Sequence, residues 1–465
     1  MTSRPRAAPR AGAIPRPSAT PRSGATPRSG ATPVPDLARD ARKEVESLAP
    51  ALIELSHKIH ANPELGLQEE KAAAWCVELL RAHGFSVEAP VAGMATAFRA
   101  RRGSGRPVIA FLAEYDALPG VGHACGHNII AASALGAGIA LARALERGGA
   151  MAGAGGAGTA AGRQTAGTGG GRQTAGTGGA CAAGTQAGVV EGSRPGGTVI
   201  VDGTPAEETV GGKIAMVDAG LYENVDLVIS MHPDTRNTVG GTCLAVKTVI
   251  FSFHGKSAHA AAEPERGVNA LDAVIQTFNN VNALRQHCRP DARIHGIVTS
   301  GGRASNVVPD FAQAEFSVRA ADMKYFREVL EKVRNCARAA ALAMGARLEI
   351  TEEPTFEPVK ENRALGLQVL EILAEMGLPG EHSAGKCQPA STDFGNVSQV
   401  VPAVAVSIKT ASLGTVSHHL DFAAAAASPE GDACILTAVK VMASLGARAV
   451  QEASVLEEAW REFRG

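Results

Sequence analysis

The stretch Val108-Ile-Ala-Phe-Leu-Ala-Glu-Tyr-Asp-Ala-Leu-Pro119, followed closely by His123-Ala-Cys-Gly-His127, decides the fold of this chain. Its first five residues form a continuous apolar run, which is typical of a strand covered on both faces. A polar loop over 113–128 comes next, and the apolar residues of 129–147 predict a buried helix. Open α/β sheets are built from such strand–loop–helix units and bind ligands at the carboxyl ends of their strands.

The spacing of apolar residues predicts further helices and strands on both sides of this unit. Before it, helical spacing spans about 52–80 with a break at Asn62-Pro-Glu-Leu-Gly66, and Phe85-Ser-Val87 is a predicted strand. The elements predicted after it are strand 198–201, a helix near 210–220 and strand 227–230. This alternation predicts an α/β sheet.

A different pattern occupies residues 244–353. Its predicted elements are strand 246–253, helix 267–285, strand 293–300, strand 311–320, helix 322–343 and strand 346–351. This βαββαβ order is typical of a two-layer α+β domain with its helices on one face of the sheet. Because residues 354–465 return to alternating helix and strand, the predicted fold is an α/β catalytic domain with a mixed sheet, residues 37–243 and 354–465, interrupted by an inserted α+β domain.

Two segments are expected to lie outside this fold. Residues 1–36 are rich in arginine and proline and cannot bury apolar surface, so they are predicted to be a disordered tail. Residues 148–197 carry Gly162-Arg-Gln-Thr-Ala-Gly-Thr-Gly-Gly170 twice in succession and are predicted to be a flexible surface insertion. No strand leads into the repeat and no Gly-Lys-Ser/Thr closes it, which disfavours a phosphate-binding loop.

Composition narrows the classes of function. A chain of 465 residues is too long for one ordinary core. Its formal net charge of −1 gives no reason to expect nucleic acid or an anionic membrane as a partner. No apolar run approaches the ~20 residues that span a bilayer. Eight scattered cysteines, without a CxxC pair or a secretory signal, predict a cytoplasmic protein with reduced thiols.

Four short motifs with metal-binding or acid–base side chains follow the predicted strands. They are Ala113–Pro119, His123–His127, Gly203-Thr-Pro-Ala-Glu-Glu208 and Ser230-Met-His-Pro233. Cys125 and His127 offer a thiolate and an imidazole, which zinc and similar metals prefer. Glu207 and Glu208 repel each other when buried. A metal that takes one of them as a ligand leaves the other free to act as a general base on water. The motifs therefore predict a metal site with a general base beside it, as in a metal-dependent hydrolase.

These motifs, with Gly255-Lys-Ser-Ala-His-Ala260 and Ser391-Thr-Asp-Phe-Gly-Asn-Val-Ser398, resemble the amidohydrolase branch of the aminoacylase/carboxypeptidase G-type metallopeptidase family. The details look most like its Xaa-Arg dipeptidase subgroup. The resemblance covers about residues 40–450, without the tail and the glycine-rich insertion. It implies a zinc-peptidase-like catalytic domain, and it implies that the inserted domain is a lid through which a homodimer forms.

The resemblance also implies roles for individual residues. The implied metal ligands are Cys125, His127, Glu208, His232 and His418, with His419 as the alternative to His418 in Ser417-His-His-Leu-Asp-Phe422. Glu207 is the implied general base, and Asp116 is the implied carboxylate that orients a metal-binding side chain. In the inserted domain, His259 is implied to stabilise the oxyanion across a dimer. Asn306 and Arg319 are implied to hold the substrate carboxylate or carbonyl.

The expected activity is hydrolysis of small dipeptides or N-acyl amino acids, through a water held by one or two Zn or Mn ions and activated by Glu207. Dipeptides with a basic C-terminal residue are among the expected substrates. An alternative with the same chemistry is the hydrolysis of aminobenzoyl-glutamate or another amino-acid conjugate. Two further alternatives are a catalytically silent metal-binding scaffold, which the intact Glu207-Glu208 pair disfavours, and a cysteine hydrolase based on Cys125. Asn128 stands where many relatives carry Asp, and we expect this change to weaken the binding of a second metal.

Overall fold

The computed structural model describes residues 36–153, 196–383, 385–388 and 390–465. Residues 1–35 of the predicted disordered tail and all but the edges of the predicted glycine-rich insertion lie outside these ranges, whereas Asp36, the last residue of the predicted tail, is described. The helices are α1 (Leu37–His60), α2 (Glu70–Ala82), α3 (His127–Gly153), α4 (Gly212–Asp218), α5 (Ala270–Arg285), α6 (Met323–Met344), α7 (Arg363–Glu375), α8 (Phe394–Val400), α9 (Leu420–Ala425), α10 (Pro429–Gln451) and α11 (Ala453–Arg464). The strands are β1 (Ser86–Glu88), β2 (Phe98–Ser104), β3 (Val108–Ala113), β4 (Gly197–Gly203), β5 (Leu227–Asp234), β6 (Thr238–Val239), β7 (Thr242–Cys243), β8 (Ala245–His254), β9 (Arg293–Ser300), β10 (Phe311–Ala320), β11 (Arg347–Glu352), β12 (Glu381–His382), β13 (Cys387–Gln388) and β14 (Ala403–Lys409).

A mixed sheet forms the centre of the fold, with the strand order β1-β2-β4-β3-β5-β14-β6-β12. Strands β4, β3, β5 and β14 are parallel to one another, whereas β2 and β6 pair antiparallel with the outer members of this group. The carboxyl ends of the four parallel strands therefore meet at one edge of the sheet. The loops after β3 and β4 and the carboxyl end of β5 carry the predicted metal and acid–base motifs, so the topology collects those motifs at this edge.

The surroundings of strand β3 explain why its sequence is continuously apolar. Ile109 and Phe111 pack into a hydrophobic cluster with residues of α1, α3 and α10. Ala110 and Leu112 pack on the opposite face of the sheet, in a cluster that includes residues of α4 and α8. Both faces are covered, and every residue of β3 is buried. The prediction of a strand buried on both faces is confirmed.

The inserted unit is an antiparallel sheet in the order β11-β8-β10-β9, with α5 and α6 packed against one face. In β10 the buried residues alternate with partly exposed ones, as expected for a strand with helices on one side only. Strand β9 is at the edge of this sheet. The predicted βαββαβ pattern is confirmed, and with it the predicted fold class.

Strand β2 is an element that the apolar spacing did not predict. Its sequence Phe98-Arg-Ala-Arg-Arg-Gly-Ser104 is rich in arginine, and two of these arginines, Arg99 and Arg102, pair with neighbouring acids. The guanidinium of Arg99 makes two hydrogen bonds of 2.7 Å to Asp202 in β4. Arg102 makes a similar pair with Glu146 in α3 (2.7 and 2.6 Å). The local sequence therefore does not predict this strand, which is stabilised by ion pairs with residues distant in the chain.

Within the described residues, two helices are long and apolar enough to cross a membrane by length and composition alone. They are α3, over His127–Arg147, and α10, whose most apolar windows are 89% and 72% buried within the fold. The two helices contact each other and α1. The helix predicted from about residue 129 is thus a core helix, and it begins two residues earlier, at His127.

Candidate metal centre and active site

A cavity of about 600 Å³ lies at the carboxyl edge of the parallel strands. The predicted site residues that line it are Cys125, Glu207, Glu208, His232 and His418. Other polar residues in its wall include Glu114, Asp234, Glu361, Ser391 and Thr392. Residues from four separate parts of the chain meet here because their strands are neighbours in the sheet or, for His418, because the loop after β14 folds back over the sheet edge.

Asp116 holds two of the predicted site residues through its two carboxylate oxygens. Oδ1 accepts a hydrogen bond from Nδ1 of His127 (2.8 Å), and Oδ2 accepts one from the backbone N–H of Glu208 (2.9 Å). Burial lowers the pKa of His127, but Asp116 and Cys125 outweigh it and raise that pKa well above its usual value. Nε2 of His127 lies 3.9 Å from Glu207 Oε2 and 3.8 Å from Glu208 Oε1. Asp116 therefore fixes both the ring of His127 and the turn that carries the two glutamates.

Cys125 and His232 form the second part of the cluster. Sγ of Cys125 is 3.3 Å from Nε2 of His232, whose Nδ1 donates to the Pro233 carbonyl (2.8 Å). Burial raises the pKa of the Cys125 thiol, but His127 and His232 outweigh it and lower that pKa to about 6. Burial likewise lowers the pKa of His232, and Cys125 raises it above its usual value. The pair thus favours thiolate and imidazolium, and a divalent cation can replace the proton between them.

The backbone brings His418, and not His419, to this cluster. His418 has a left-handed conformation, with φ 64°, and its N–H donates to the Ala124 carbonyl (2.9 Å). Its Nε2 is 3.3 Å from Oε1 of Glu208. His419 instead accepts a hydrogen bond from the backbone N–H of Asp421 at the start of α9. Of the two neighbouring histidines, this turn therefore places His418 next to the cluster.

These side chains fit a divalent metal. They form three overlapping groups in which the possible ligand atoms lie within 4.8 Å of one another: Cys125–His127–His232, Cys125–Glu208–His418 and His127–Glu207–Glu208. Nε2 of His127 is buried and makes no hydrogen bond within the described part of the chain. An orphaned buried atom is costly unless a ligand satisfies it. Thiolate, imidazole and carboxylate together are a donor set that zinc accepts.

A buried ion network behind Glu207 escaped the sequence motifs. Lys213 is fully buried, and its Nζ lies 2.9 Å from Oε1 of Glu114 and 2.5 Å from Oδ1 of Asp393. Burial raises the pKa of Glu207 well above its usual value, and the carboxylates of Glu114 and Asp393 add to this rise. Glu114 directly follows a buried strand, and Asp393 lies in the quoted motif 391–398, so both had a local signal. Lys213 had none, because it meets Asp393 only through the fold.

The three predicted residues of the inserted domain divide into two positions. His259 and Asn306 are exposed neighbours, joined by a hydrogen bond from Ala260 N to Asn306 O (3.0 Å), and neither lines the cavity. Arg319 donates from Nη1 to Oγ of Ser391 (3.2 Å), which is in the cavity wall. The structure therefore places Arg319 in contact with a residue of the cavity wall, although Arg319 is not itself a lining residue, and it does not bring His259 or Asn306 to the cavity.

Asn128 faces away from the cavity. Its side chain is fully buried and donates to Ser56 Oγ (2.9 Å) and to the Ala426 carbonyl (3.0 Å). The residue thus ties the start of α3 to α1. Its expected effect on a second metal stays a prediction.

The inserted domain matches a known family model. Residues 245–344 match the M20 peptidase dimerisation domain. The chain is also similar to solved structures over most of its length. An aminobenzoyl-glutamate utilization protein from Klebsiella pneumoniae superposes with a TM-score of 0.62 at 20% identity, covering 88% of this chain and 97% of that one. A dinuclear metal binding peptidase of the M20 family from Bacillus subtilis gives 0.59 at 21% identity, covering 87% and 99%.

Curated relatives match most of the chain. The Xaa-Arg dipeptidase of Mus musculus is 33% identical over 448 residues, which cover 92% of each protein. The Xaa-Arg dipeptidase of Homo sapiens is 31% identical over 441 residues, which cover 90% of each. A p-aminobenzoyl-glutamate hydrolase chain from Escherichia coli is 29% identical, over 70% of this chain and 62% of that relative. Identity of 33% along nearly the whole length goes beyond a shared fold, so the chain belongs to the M20 family of metal-dependent peptidases and amidohydrolases.

Proposed function

We propose that this M20 hydrolase is a zinc-dependent dipeptidase that prefers a basic residue at the C-terminus of its substrate. The observation that carries the preference is the charge of the cavity. Five carboxylates line it, from Glu114, Glu207, Glu208, Asp234 and Glu361, and no Lys or Arg is among its described lining residues. A cationic side chain gains from those carboxylates that neither the metal cluster nor Lys213 occupies, whereas the anionic side chain of a glutamate conjugate is repelled by them.

Two of these carboxylates are free to meet a substrate. Glu207 and Glu208 belong to the metal cluster, and Glu114 is paired with Lys213. Glu361 accepts a hydrogen bond from Gly241 N through Oε1 (2.9 Å), and Asp234 accepts one from its neighbour Thr235. Across the described ranges, neither Asp234 nor Glu361 has a Lys or Arg within salt-bridge distance, and the ring of His382 lies beside Glu361, with Nε2 3.6 Å from Oε1. Backbone amides thus fix both carboxylates, and no Lys or Arg of the described residues competes with a substrate cation for them.

The cluster is proposed to hold two zinc ions. Cys125, His127, Glu208, His232 and His418 would be the ligands, since they make up the overlapping groups described above. The thiolate of Cys125 favours zinc over manganese, because manganese prefers oxygen ligands. Bound zinc would polarise the substrate carbonyl and lower the pKa of water.

Glu207 is the proposed general base. It lies beside His127 but keeps a raised pKa, which suits a carboxylate that takes up a proton and gives it back. Glu207 accepts the proton of the attacking water and then delivers it to the leaving amine. Asp116 keeps the lone pair of His127 directed at the cluster by holding the proton on Nδ1. Arg319, next to Ser391 in the cavity wall, is proposed to bind the substrate carboxylate.

A homodimer is proposed to complete the site. His259 and Asn306 are exposed in the inserted domain and do not line the cavity of their own chain. A second copy could supply them. Strand β9 is an unpaired edge of the inserted sheet, with Ile297 60% and Val298 48% exposed. An apolar edge strand of this kind pairs readily with a second copy.

A cytoplasmic location is also proposed. The buried cysteines Cys76, Cys243 and Cys434 form no disulfide with any other cysteine that the structure describes, and burial raises the pKa of each thiol. Thiols of this kind are typical of a reducing compartment. Fluorescence microscopy of the tagged full-length chain tests this, and a signal confined to another compartment would contradict it.

A substrate panel tests the proposed function. Zinc-loaded protein is assayed with dipeptides that share an N-terminal residue and end in Lys, Arg, Leu or Glu, and with p-aminobenzoyl-glutamate. We expect kcat/KM to be highest for the Lys and Arg dipeptides. Faster release of p-aminobenzoate would instead support the conjugate hydrolase, and no hydrolysis of any substrate by metal-loaded protein would support a silent scaffold.

The variant Glu361→Gln tests the charge preference directly. Loss of this carboxylate is expected to raise KM for the Lys dipeptide about tenfold and to leave the Leu dipeptide unchanged. Glu381→Gln is the matched control, because Glu381 is 64% exposed and outside the cavity lining. Equal effects of Glu361→Gln on both dipeptides would contradict the proposed preference.

A further inference from the structure

Glu69 is a fully buried carboxylate that none of the steps above uses. It stands at the N-terminus of α2 but makes no side-chain hydrogen bond to that helix. Glu64 caps the helix instead, by accepting from the backbone N–H groups of Lys71 (3.0 Å) and Ala72 (3.0 Å). Because the cap is already provided, Glu69 is free to serve another part of the fold.

Both oxygens of Glu69 are bound inside the protein. Oε1 accepts a hydrogen bond from the backbone N–H of Ala206 (2.8 Å), and Oε2 accepts one from Oγ1 of Thr96 (2.9 Å). Ala206 is the residue immediately before Glu207. A buried carboxylate costs free energy unless its oxygens are satisfied. The position of Glu69 therefore indicates that it stabilises the turn at Ala206.

The backbone conformation of Ala206 indicates why this turn needs stabilisation. Ala206 is buried and has φ 60°, in the left-handed region that residues with a side chain rarely adopt. Such a conformation persists only where its surroundings enforce it. The hydrogen bond from Glu69 enforces it at the N–H, and Gly211 N–H enforces it by donating to the Ala206 carbonyl (2.9 Å).

Two buried carboxylates thus hold the turn on either side of Glu207. Glu69 holds the N–H one residue before it, and Asp116 holds the N–H of Glu208 one residue after it (2.9 Å). Close packing leaves the turn little freedom, because a Cβ on Gly66 would stand 3.0 Å from the Cβ of Ala206. The direction of the Glu207 side chain is set between these two anchors.

We propose that Glu69 is a positioning residue: it holds Ala206 in the left-handed conformation that turns Glu207 into the cavity. The inference rests on the proposed role of Glu207 as general base. Glu69 itself touches neither substrate nor metal, and it acts only through the backbone.

A double-mutant cycle with glycine tests this role. Glu69→Ala removes the anchor and is expected to lower kcat at least tenfold with a much smaller change in KM, because a small misplacement of a catalytic group is costly. Glycine adopts a positive φ without an anchor. In an Ala206→Gly background, Glu69→Ala is therefore expected to change kcat less than about threefold.

The outcomes separate positioning from general stability. Glu64→Ala is the matched control, since it removes the cap of α2 in the same loop without touching the turn. It is expected to lower the melting temperature and leave kcat unchanged. The proposal is overturned if Glu69→Ala keeps the kcat of the parent, or if it loses as much kcat in the Ala206→Gly background as it does in the parent.

A second variant covers the case in which Glu69→Ala does not fold. Glu69→Asp keeps the charge but withdraws the carboxylate by one methylene from Ala206. We expect it to lower kcat and to be rescued by Ala206→Gly in the same way. A Glu69→Asp protein with the kcat of the parent would contradict the role.

Cobalt(II) binding gives a readout that does not depend on turnover. Glu208 shares the turn, so Glu69→Ala is expected to weaken cobalt binding about tenfold, as followed by the visible absorption of the cobalt–thiolate centre. If the parent protein hydrolyses no substrate, the proposed function fails, and the cobalt titration still decides the role of Glu69. Unchanged cobalt affinity and spectrum in the folded variant would refute that role.

Discussion

Replacing Asp116 by Asn tests how a carboxylate outside the metal cluster controls the side chains that are proposed to bind the metal. Both oxygens of Asp116 accept a hydrogen bond, at 2.8 Å from His127 Nδ1 and 2.9 Å from the Glu208 N–H. Asparagine has one oxygen and one NH₂ group, so it can accept only one of the two. If the oxygen keeps Glu208, the NH₂ faces His127 Nδ1 and drives the proton onto Nε2, where it blocks the lone pair. If the oxygen keeps His127, the N–H of Glu208 is left without an acceptor.

In either arrangement, one of the two hydrogen bonds that the Asp116 carboxylate accepts is lost, at a residue that is only 1% exposed. Such a bond contributes about 1.5–3 kcal/mol. That loss corresponds to about ten- to a hundredfold in zinc affinity or kcat.

Competition with a fluorescent chelator measures the zinc affinity of Asp116→Asn, and initial rates on the best dipeptide give kcat. Asp226→Asn is the control, because Asp226 is also a nearly buried carboxylate that accepts a backbone hydrogen bond, from Val108 N (2.7 Å), at the opposite end of β3. The control should lose stability and keep zinc affinity. Zinc affinity and kcat within about threefold of the parent in Asp116→Asn would refute the reasoning.

Two further predictions concern charge and protons. Lys213→Met leaves the buried carboxylates of Glu114 and Asp393 without their cation and should lower the free energy of unfolding in urea by about 3–5 kcal/mol. Lys247 pairs with Glu352 at a more exposed position (3.3 Å), and Lys247→Met should cost about 1 kcal/mol; equal costs would contradict the prediction. The pKa of Cys125 is lowered to about 6 and that of His418 is raised to about 10 by Cys125 and Glu208. Zinc must displace the proton of His418 at neutral pH, so affinity should rise with pH above 6, and calorimetry in buffers of different ionisation enthalpy should detect proton release at pH 7. Binding without proton release would contradict this.

The sequence patterns were sufficient to predict a strand where the spacing of its apolar residues reflects which of its faces are buried. The apolar run Val108–Leu112 predicts a strand because both of its faces are covered, and the alternation over 311–320 predicts one because only one face is. The fold class, the family and the metal-dependent amidohydrolase activity were all predicted in this way or by resemblance, and they are confirmed. The roles of the individual site residues stay predictions.

The patterns failed where long-range partners decide the structure. Strand β2 was missed because its arginines look solvent-exposed until Asp202 and Glu146 are placed beside them. Lys213 was missed because its partner Asp393 lies 180 residues further along the chain. The choice between His418 and His419 depends on one left-handed residue whose N–H binds Ala124, and no spacing rule contains that information.

The most direct test of the central claim compares Glu207→Gln with Glu208→Gln in the same zinc-loaded preparation. Glutamine keeps the size of either side chain but cannot carry the proton of the attacking water. Loss of a general base costs about 10²–10⁴-fold. We therefore expect Glu207→Gln to bind as much zinc as the parent and to lose that much kcat, and we expect Glu208→Gln to lose zinc as well. Near-parental turnover by zinc-loaded Glu207→Gln would contradict the claim that Glu207 is the base of a metal-dependent hydrolase.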